Sequence, residues 1–220
     1  MLRERYAQVQ QRLADACKEA GRDPRDVGLI AVSKTFPIED IHTIAQLGQQ
    51  DFGESYAQEL TQKSDAQPDV RWHFIGRIQT NKAKRIAASA YRVHALETVR
   101  HAEVLVRHAP QPLHALLAVN IAHESSKSGV LPAHALERVE ALSRVDGLHI
   151  CGLMTMPPFT ENPEDSAPFF EELADLAARG QQRGLPLTEL SMGMSHDAHV
   201  AIRHGATWVR IGTAIFGGRA

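Results

Sequence analysis

Residues 29–37 read LIAVSKTFP. The segment opens on an apolar, β-branched run with no polar alternation, so both of its faces are apolar. It reads as a strand buried on both sides, as parallel strands covered by helices are. The strand ends in Lys34, and a Thr35-Phe36-Pro37 break follows. Lysine is among the residues least often buried. Lys34 is therefore either a side chain snorkelling at a strand tip or an amine made nucleophilic by desolvation.

Outward from this stretch the same pattern recurs. Strand-like segments lie at 27–33, 50–53, 71–76, 91–96, 113–122, 147–154, 187–192 and 207–212. Helical patterns separate them, and TAIFGGR after Gly212 reads as a last helix. Ahead of the first strand, Tyr6, Val9, Leu13 and Cys17 recur at three and four residues. They mark an amphipathic helix stopped by Gly21 and Pro24. Strands alternating with helices allow an open doubly wound sheet or a closed barrel. Eight strands favour a single (β/α)8 TIM barrel with an extra N-terminal helix, and the chain length is at the compact end for that fold. No linker or low-complexity tract divides residues 1–220, so one domain is expected.

The bulk properties narrow the function. With 43% hydrophobic and 23% charged residues, the 220-residue chain has an ordinary globular composition. Its net charge of -2 gives no electrostatic case for nucleic acid or an anionic membrane surface. The apolar runs are strand-length, and the charged N-terminus lacks the apolar stretch of a signal peptide. Cys17 and Cys151 make neither a disulfide framework nor a zinc quartet, and cytoplasm is the expected compartment. His196 and His199 in HDAH resemble a metal-site spacing, but a closed site needs three or four converging ligands, and no metal is expected.

In such a barrel the active site lies at the C-terminal ends of the strands. There stand Lys34, then Glu54-Ser55-Tyr56, then Gly76-Arg77 with Gln79 and Asn81, then Asn120, then Met154. Strand 7 leads into SMGMS, with hydroxyls at Ser191 and Ser195 and a glycine at 193. Strand 8 carries Arg210, then Gly212 and Thr213. Hydroxyls, glycines and helix N-termini in the last two loops make the recurrent phosphate site of these barrels. A phosphate there, with a lysine across the mouth, points to a phosphorylated aldehyde held as a Schiff base, for which pyridoxal 5′-phosphate (PLP) is the evident candidate. Arg210 could face the pyridine nitrogen and keep it unprotonated, which would weaken the ring as an electron sink. Plainer readings stand beside these. Arg210 could pair with Glu54, Ser195 and Asn81 could only cap helices, His73 and Met154 could be core, and Lys127 could be a solvated loop residue near the site.

Taken in order, AVSKTFP, FGESYAQEL, WHFIGRIQTNKAK, HESSKSG, GLMTMPP, LSMGMSHD and VRIGTAIFG closely resemble the pyridoxal phosphate homeostasis protein family, related to the N-terminal barrel of alanine racemase. The resemblance covers roughly residues 5–219. It implies PLP on Lys34, Arg210 at the pyridine nitrogen, and Ser191, Gly212 and Thr213 around the phosphate. It also implies a role in binding, buffering or delivering PLP to PLP-dependent apo-enzymes, with little or no catalysis. Ser55 departs from the family's usual FGEN, and His196 stands where many members carry an acid. The alternative is a PLP-dependent racemase. A two-base racemase needs a second acid/base opposite the lysine, which alanine racemase draws from a further domain. Here the tyrosines are Tyr6, Tyr56 and Tyr91, and of these Tyr56 is nearest the site in sequence. Loss of such a base costs about 10²–10⁴ in that proton transfer, so efficient racemisation is not expected. With the barrel complete in one chain, a monomer is expected.

Overall fold

The computed structural model describes residues 1–124 and 127–218; Ser125 and Ser126 of HESSKSG, with Arg219 and Ala220, lie outside the described residues. The first element is α1 (Leu2–Glu19), which buries Tyr6, Val9, Ala16 and Cys17. Gly21 (φ 65°) turns the chain away, and a 3-10 turn at Pro24–Asp26 leads into β1 (Gly28–Val32). There follow α2 (Ile38–Ala45), β2 (Asp51–Glu54), α3 (Ala57–Ala66), β3 (Arg71–Phe74), α4 (Ala83–Ser89), β4 (Arg92–Leu96) and α5 (Val99–Val106). The second half holds β5 (Leu113–Ala118), α6 (Pro132–Leu142), β6 (Leu148–Met154), α7 (Ala167–Gln182), β7 (Glu189–Met194), α8 (Ala198–Arg203), β8 (Trp208–Ile211) and α9 (Thr213–Phe216).

The eight strands pair in chain order, all parallel, and β1 closes on β8 through Leu29↔Val209 and Ala31↔Ile211. The expected closed (β/α)8 barrel with an N-terminal helix is what forms. Alternate residues of β1 divide between two cores. Leu29 and Ala31 join the large apolar layer between strands and helices, where Ile41, Ile44, Leu60 and Phe52 are fully buried. Ile30 is equally buried but belongs to the barrel interior, where Gly53 leaves room for its Cγ2.

The interior is not the usual stack of branched apolar side chains. Asp51, His73, Arg92, His94, Ser191 and Arg210 are all buried polar residues of the strands. Two strands depart furthest from the sequence expectation. β5 stops at Ala118, because Asn120 turns the chain with its own side chain, accepting from the Glu124 amide at 3.1 Å and donating to the Glu124 carbonyl at 2.8 Å. β7 begins and ends two residues later than its expected 187–192, which places Ser191 and Gly193 inside the strand and leaves Ser195 to the loop.

Candidate active site at the C-terminal barrel mouth

Lys34 follows β1 in a turn closed by the Phe36 amide on the Ser33 carbonyl at 3.1 Å. Thr35 holds φ at 69°, a left-handed conformation that β-branched residues rarely adopt. Its amide donates to Glu59 Oε2 at 2.8 Å. The Lys63 ammonium completes the clamp, donating to Glu59 Oε2 at 2.8 Å, Glu54 Oε1 at 2.7 Å and the Ser33 carbonyl at 2.8 Å. Burial pushes the Glu54 carboxyl above its ordinary pKa, against the pull of Lys63 and of the Ser33 hydroxyl. Glu54 is thus engaged by Lys63 and Ser33, and Arg210 bonds elsewhere: to Ser191 Oγ at 2.7 Å and the Thr155 carbonyl at 2.8 Å.

Above the strand ends lies a cavity of about 650 Å³. Lys34, Ser55, Met154, Ser195, Arg210, Gly212 and Thr213 all line it, so seven of the ten candidates from sequence meet around one space. Ser195 and Thr213 bring their hydroxyls to 3.3 Å of each other beside the start of α9. Three candidates stand apart. Ser191 is fully buried one layer below, against Arg210. Gly193, at φ 87°, packs under α8, where a Cβ would lie 2.5 Å from Ala201 Cβ. Asn81 is exposed on the 3-10 turn Thr80–Lys82, outside the lining. Tyr56 is 55% exposed and borders a neighbouring groove, not this cavity.

Among the described residues, the charged side chains of the lining have one sign. Lys34, Arg77, Lys127 and Arg210 supply four cations, and no carboxylate is among the described lining residues. Lys127 is tied down by Glu124 at 2.6 Å and by the Met156 carbonyl at 3.2 Å. Burial draws the Arg210 guanidinium down to about 10, partly offset by Asp197, so it stays a cation at neutral pH. His196 is exposed at the rim, bonds the Glu161 carbonyl at 3.0 Å and lies against Phe159. Met156 and Phe159 are 50% and 77% exposed and form an apolar lip.

Sequence reasoning missed the groups that hold the site from behind. Lys63 looked like an ordinary surface-helix residue, and His94 like one histidine among twelve. His94 carried a usable signal, an imidazole between the apolar Val93 and Ala95 of a strand segment, RVHAL.

Comparisons with known proteins agree with this fold. The family model described as alanine racemase, N-terminal domain, matches residues 6–220. The pyridoxal phosphate homeostasis protein of Pseudomonas aeruginosa is 42% identical over 225 residues, covering 98% of this chain and 95% of that one. Its namesake from Aquifex aeolicus is 40% identical over 222 residues, covering 98% and 97%. Among solved structures, PipY of Synechococcus elongatus with PLP bound superimposes at a TM-score of 0.85, with 32% identity, covering 99% of this chain and 100% of that one. The chain belongs to the pyridoxal phosphate homeostasis protein family, built on the barrel of the alanine racemase N-terminal domain.

Proposed function

We propose that this chain binds pyridoxal 5′-phosphate at the barrel mouth and serves intracellular PLP homeostasis, buffering the cofactor or handing it to PLP-dependent apo-enzymes. The observation that carries the reading is the cavity itself, with a lysine at the β1 tip, four cations and no carboxylate among its described lining residues. Such a space favours an anionic ligand. When bound, the cofactor supplies an aldehyde for capture by a lysine as a Schiff base, a phosphate dianion and a pyridine ring. Lys34 is the amine within the cavity, on a turn fixed by Glu59 and Lys63. The Ser195 and Thr213 hydroxyls, with the amides opening α9, are the donors proposed for the phosphate. Arg210, charged and held from behind by Ser191 and Thr155, is the residue that would face the pyridine ring.

The same residues argue against efficient racemisation. No tyrosine is among the described lining residues, and Tyr56 turns to the adjoining groove. The apolar lip of Met156 and Phe159 is the surface that an acceptor enzyme would meet first. A monomer is proposed, because the barrel closes within one chain. Cytoplasm is the proposed compartment, where Cys17 and Cys151, both unpaired, stay reduced. No helix among the described residues is long and apolar enough to cross a membrane.

The deciding experiment is borohydride reduction of the PLP-loaded protein followed by peptide mass mapping. A pyridoxyl adduct on Lys34, absent in Lys34→Ala, is the expected result. An unmodified Lys34 overturns the reading. Turnover of free amino acids that depends on Lys34 would replace the carrier role with an enzymatic one.

A further inference from the structure

A single file of hydrogen bonds crosses the barrel interior from the cavity to the opposite mouth. Arg210 Nη1 donates to Ser191 Oγ at 2.7 Å. Ser191 Oγ lies 2.9 Å from His94 Nδ1, and His94 Nε2 lies 2.9 Å from His73 Nδ1. His73 Nε2 lies 2.8 Å from Asp51 Oδ1. Arg71 closes the far end, with Nε to Oδ1 at 2.7 Å and Nη2 to Oδ2 at 2.6 Å. His73, His94 and Ser191 are completely buried, so solvent does not reach these groups.

The two ends fix the direction of the file. A guanidinium only donates, and a carboxylate only accepts. With neutral rings, one arrangement pairs every group. Ser191 accepts from Arg210 and donates to His94 Nδ1; His94 donates through Nε2 to His73 Nδ1; His73 donates through Nε2 to Asp51. The reverse order turns a lone pair of His73 toward the carboxylate unless His73 takes a second proton. Desolvation opposes that proton, and it lowers the pKa of both rings. The tautomer of His94 thereby decides whether Ser191 Oγ offers Arg210 a lone pair or competes with it as a second proton-bearing neighbour.

We propose that His94 and His73, anchored by Asp51, are positioning residues for Arg210: they hold Ser191 as its acceptor and so fix the guanidinium that lines the cavity. The link to the cofactor rests on the PLP reading above; the file itself does not. Its test therefore has a ligand-free arm. Nitrogen-15 spectra of the imidazoles should show both rings neutral with the proton on Nε2, and the Arg210 guanidinium N–H signals should be protected from exchange. That protection of Arg210 should persist in His94→Asn, whose Oδ1 replaces the Nδ1 acceptor, and should be lost in His94→Phe. In the PLP-loaded protein, His94→Phe should shift the cofactor absorption band and weaken binding about tenfold, the loss of one charge-assisted hydrogen bond, while His94→Asn stays near wild type. A proton on His94 Nδ1, or a His94→Phe protein with protected Arg210 signals, overturns the proposal. A wild type that keeps the tautomers and protected Arg210 but takes up no PLP sinks the cofactor reading and leaves the positioning role standing. Should His94→Phe not fold, Ser191→Ala serves in its place, because it removes the acceptor and leaves both rings.

Discussion

A lysine at a strand tip is useful to a bound aldehyde only if its backbone cannot drift. Thr35 sits at φ 69° next to Lys34, and strain of that kind persists only where surroundings over-determine it. Here they do so through α3: Glu59 takes the Thr35 amide, and Lys63 binds Glu59, Glu54 and the Ser33 carbonyl at once. Lys63→Met strips the cation from a fully buried carboxylate and should cost about 3–5 kcal/mol, as breaking one side of a buried pair does. Urea unfolding at neutral pH measures it. Adding Glu54→Gln to Lys63→Met should recover part of the loss, and a single variant as stable as wild type would show that the clamp carries no weight. Lys34 itself was readable from sequence because a charge ending an apolar run is anomalous on its own strand. Lys63 was not, because its partners lie just past β1, on β2 and one turn back in its own helix, a juxtaposition that only the barrel creates.

At the scale of elements, the strands declared themselves by apolar runs on both faces, and parallel pairing followed from the helices between them. Register was the part that local pattern could not set. In LTELSMGMS the apolar and small residues tolerate a two-residue shift, and the choice is made by neighbours: Leu190 faces Leu153, and Ser191 faces Met154. That pairing sets Ser191 beside Arg210 as its support, while the inward face of Ser191 would survive a two-residue shift. It also puts Gly193 under α8 at φ 87°, with no space for a Cβ beside Ala201. Gly193→Ala should lose about 1–3 kcal/mol through strain and overpacking. It should also lower affinity for PLP, because β7 carries Ser191 and leads directly into Ser195. Thermal unfolding and a PLP titration on the same sample test both. A destabilised variant with unchanged affinity would separate the packing of α8 from the geometry of the site. The turn that follows α1 makes a comparable tie at the other end of α8: Arg22 Nη1 donates to the Ile202 carbonyl at 2.9 Å and the Ala206 carbonyl at 2.7 Å. Arg22→Ala should cost about 1.5–3 kcal/mol, the worth of charged hydrogen bonds to backbone, with no change in borohydride trapping at Lys34.

Over the whole molecule, the polar interior couples stability to pH. His73 and His94 have pKa values lowered from 6.5 mainly by burial, so below about pH 6.5 the unfolded chain binds protons that the folded chain refuses. Stability then falls as pH falls, by at most about 1.4 kcal/mol per pH unit for each ring. Asp51 acts in the same direction further down. Burial raises its carboxyl, but the hydrogen bonds of His73 and Arg71 outweigh that and hold it below the ordinary 3.8, so its contribution is lost as pH falls through the folded value. Glu54 acts the other way: raised above 4.5 when folded, it favours the fold at low pH, and that contribution is lost as pH rises through its folded value. Between about pH 7.5 and pH 5.5 the lowered imidazoles should set the slope, with His101 and His114, also lowered mainly by burial, adding to the two rings, because the unfolded histidines titrate there and unfolded carboxyls do not. Calorimetry across that range should show the melting temperature of wild type falling with acid. His94→Asn removes one of the two rings and keeps the acceptor for Ser191, so its melting temperature should fall less steeply, whatever its value at neutral pH. Equal slopes would mean that His94 is protonated in the folded protein as readily as in the unfolded chain, and the neutral, one-directional file through the barrel would have to be abandoned.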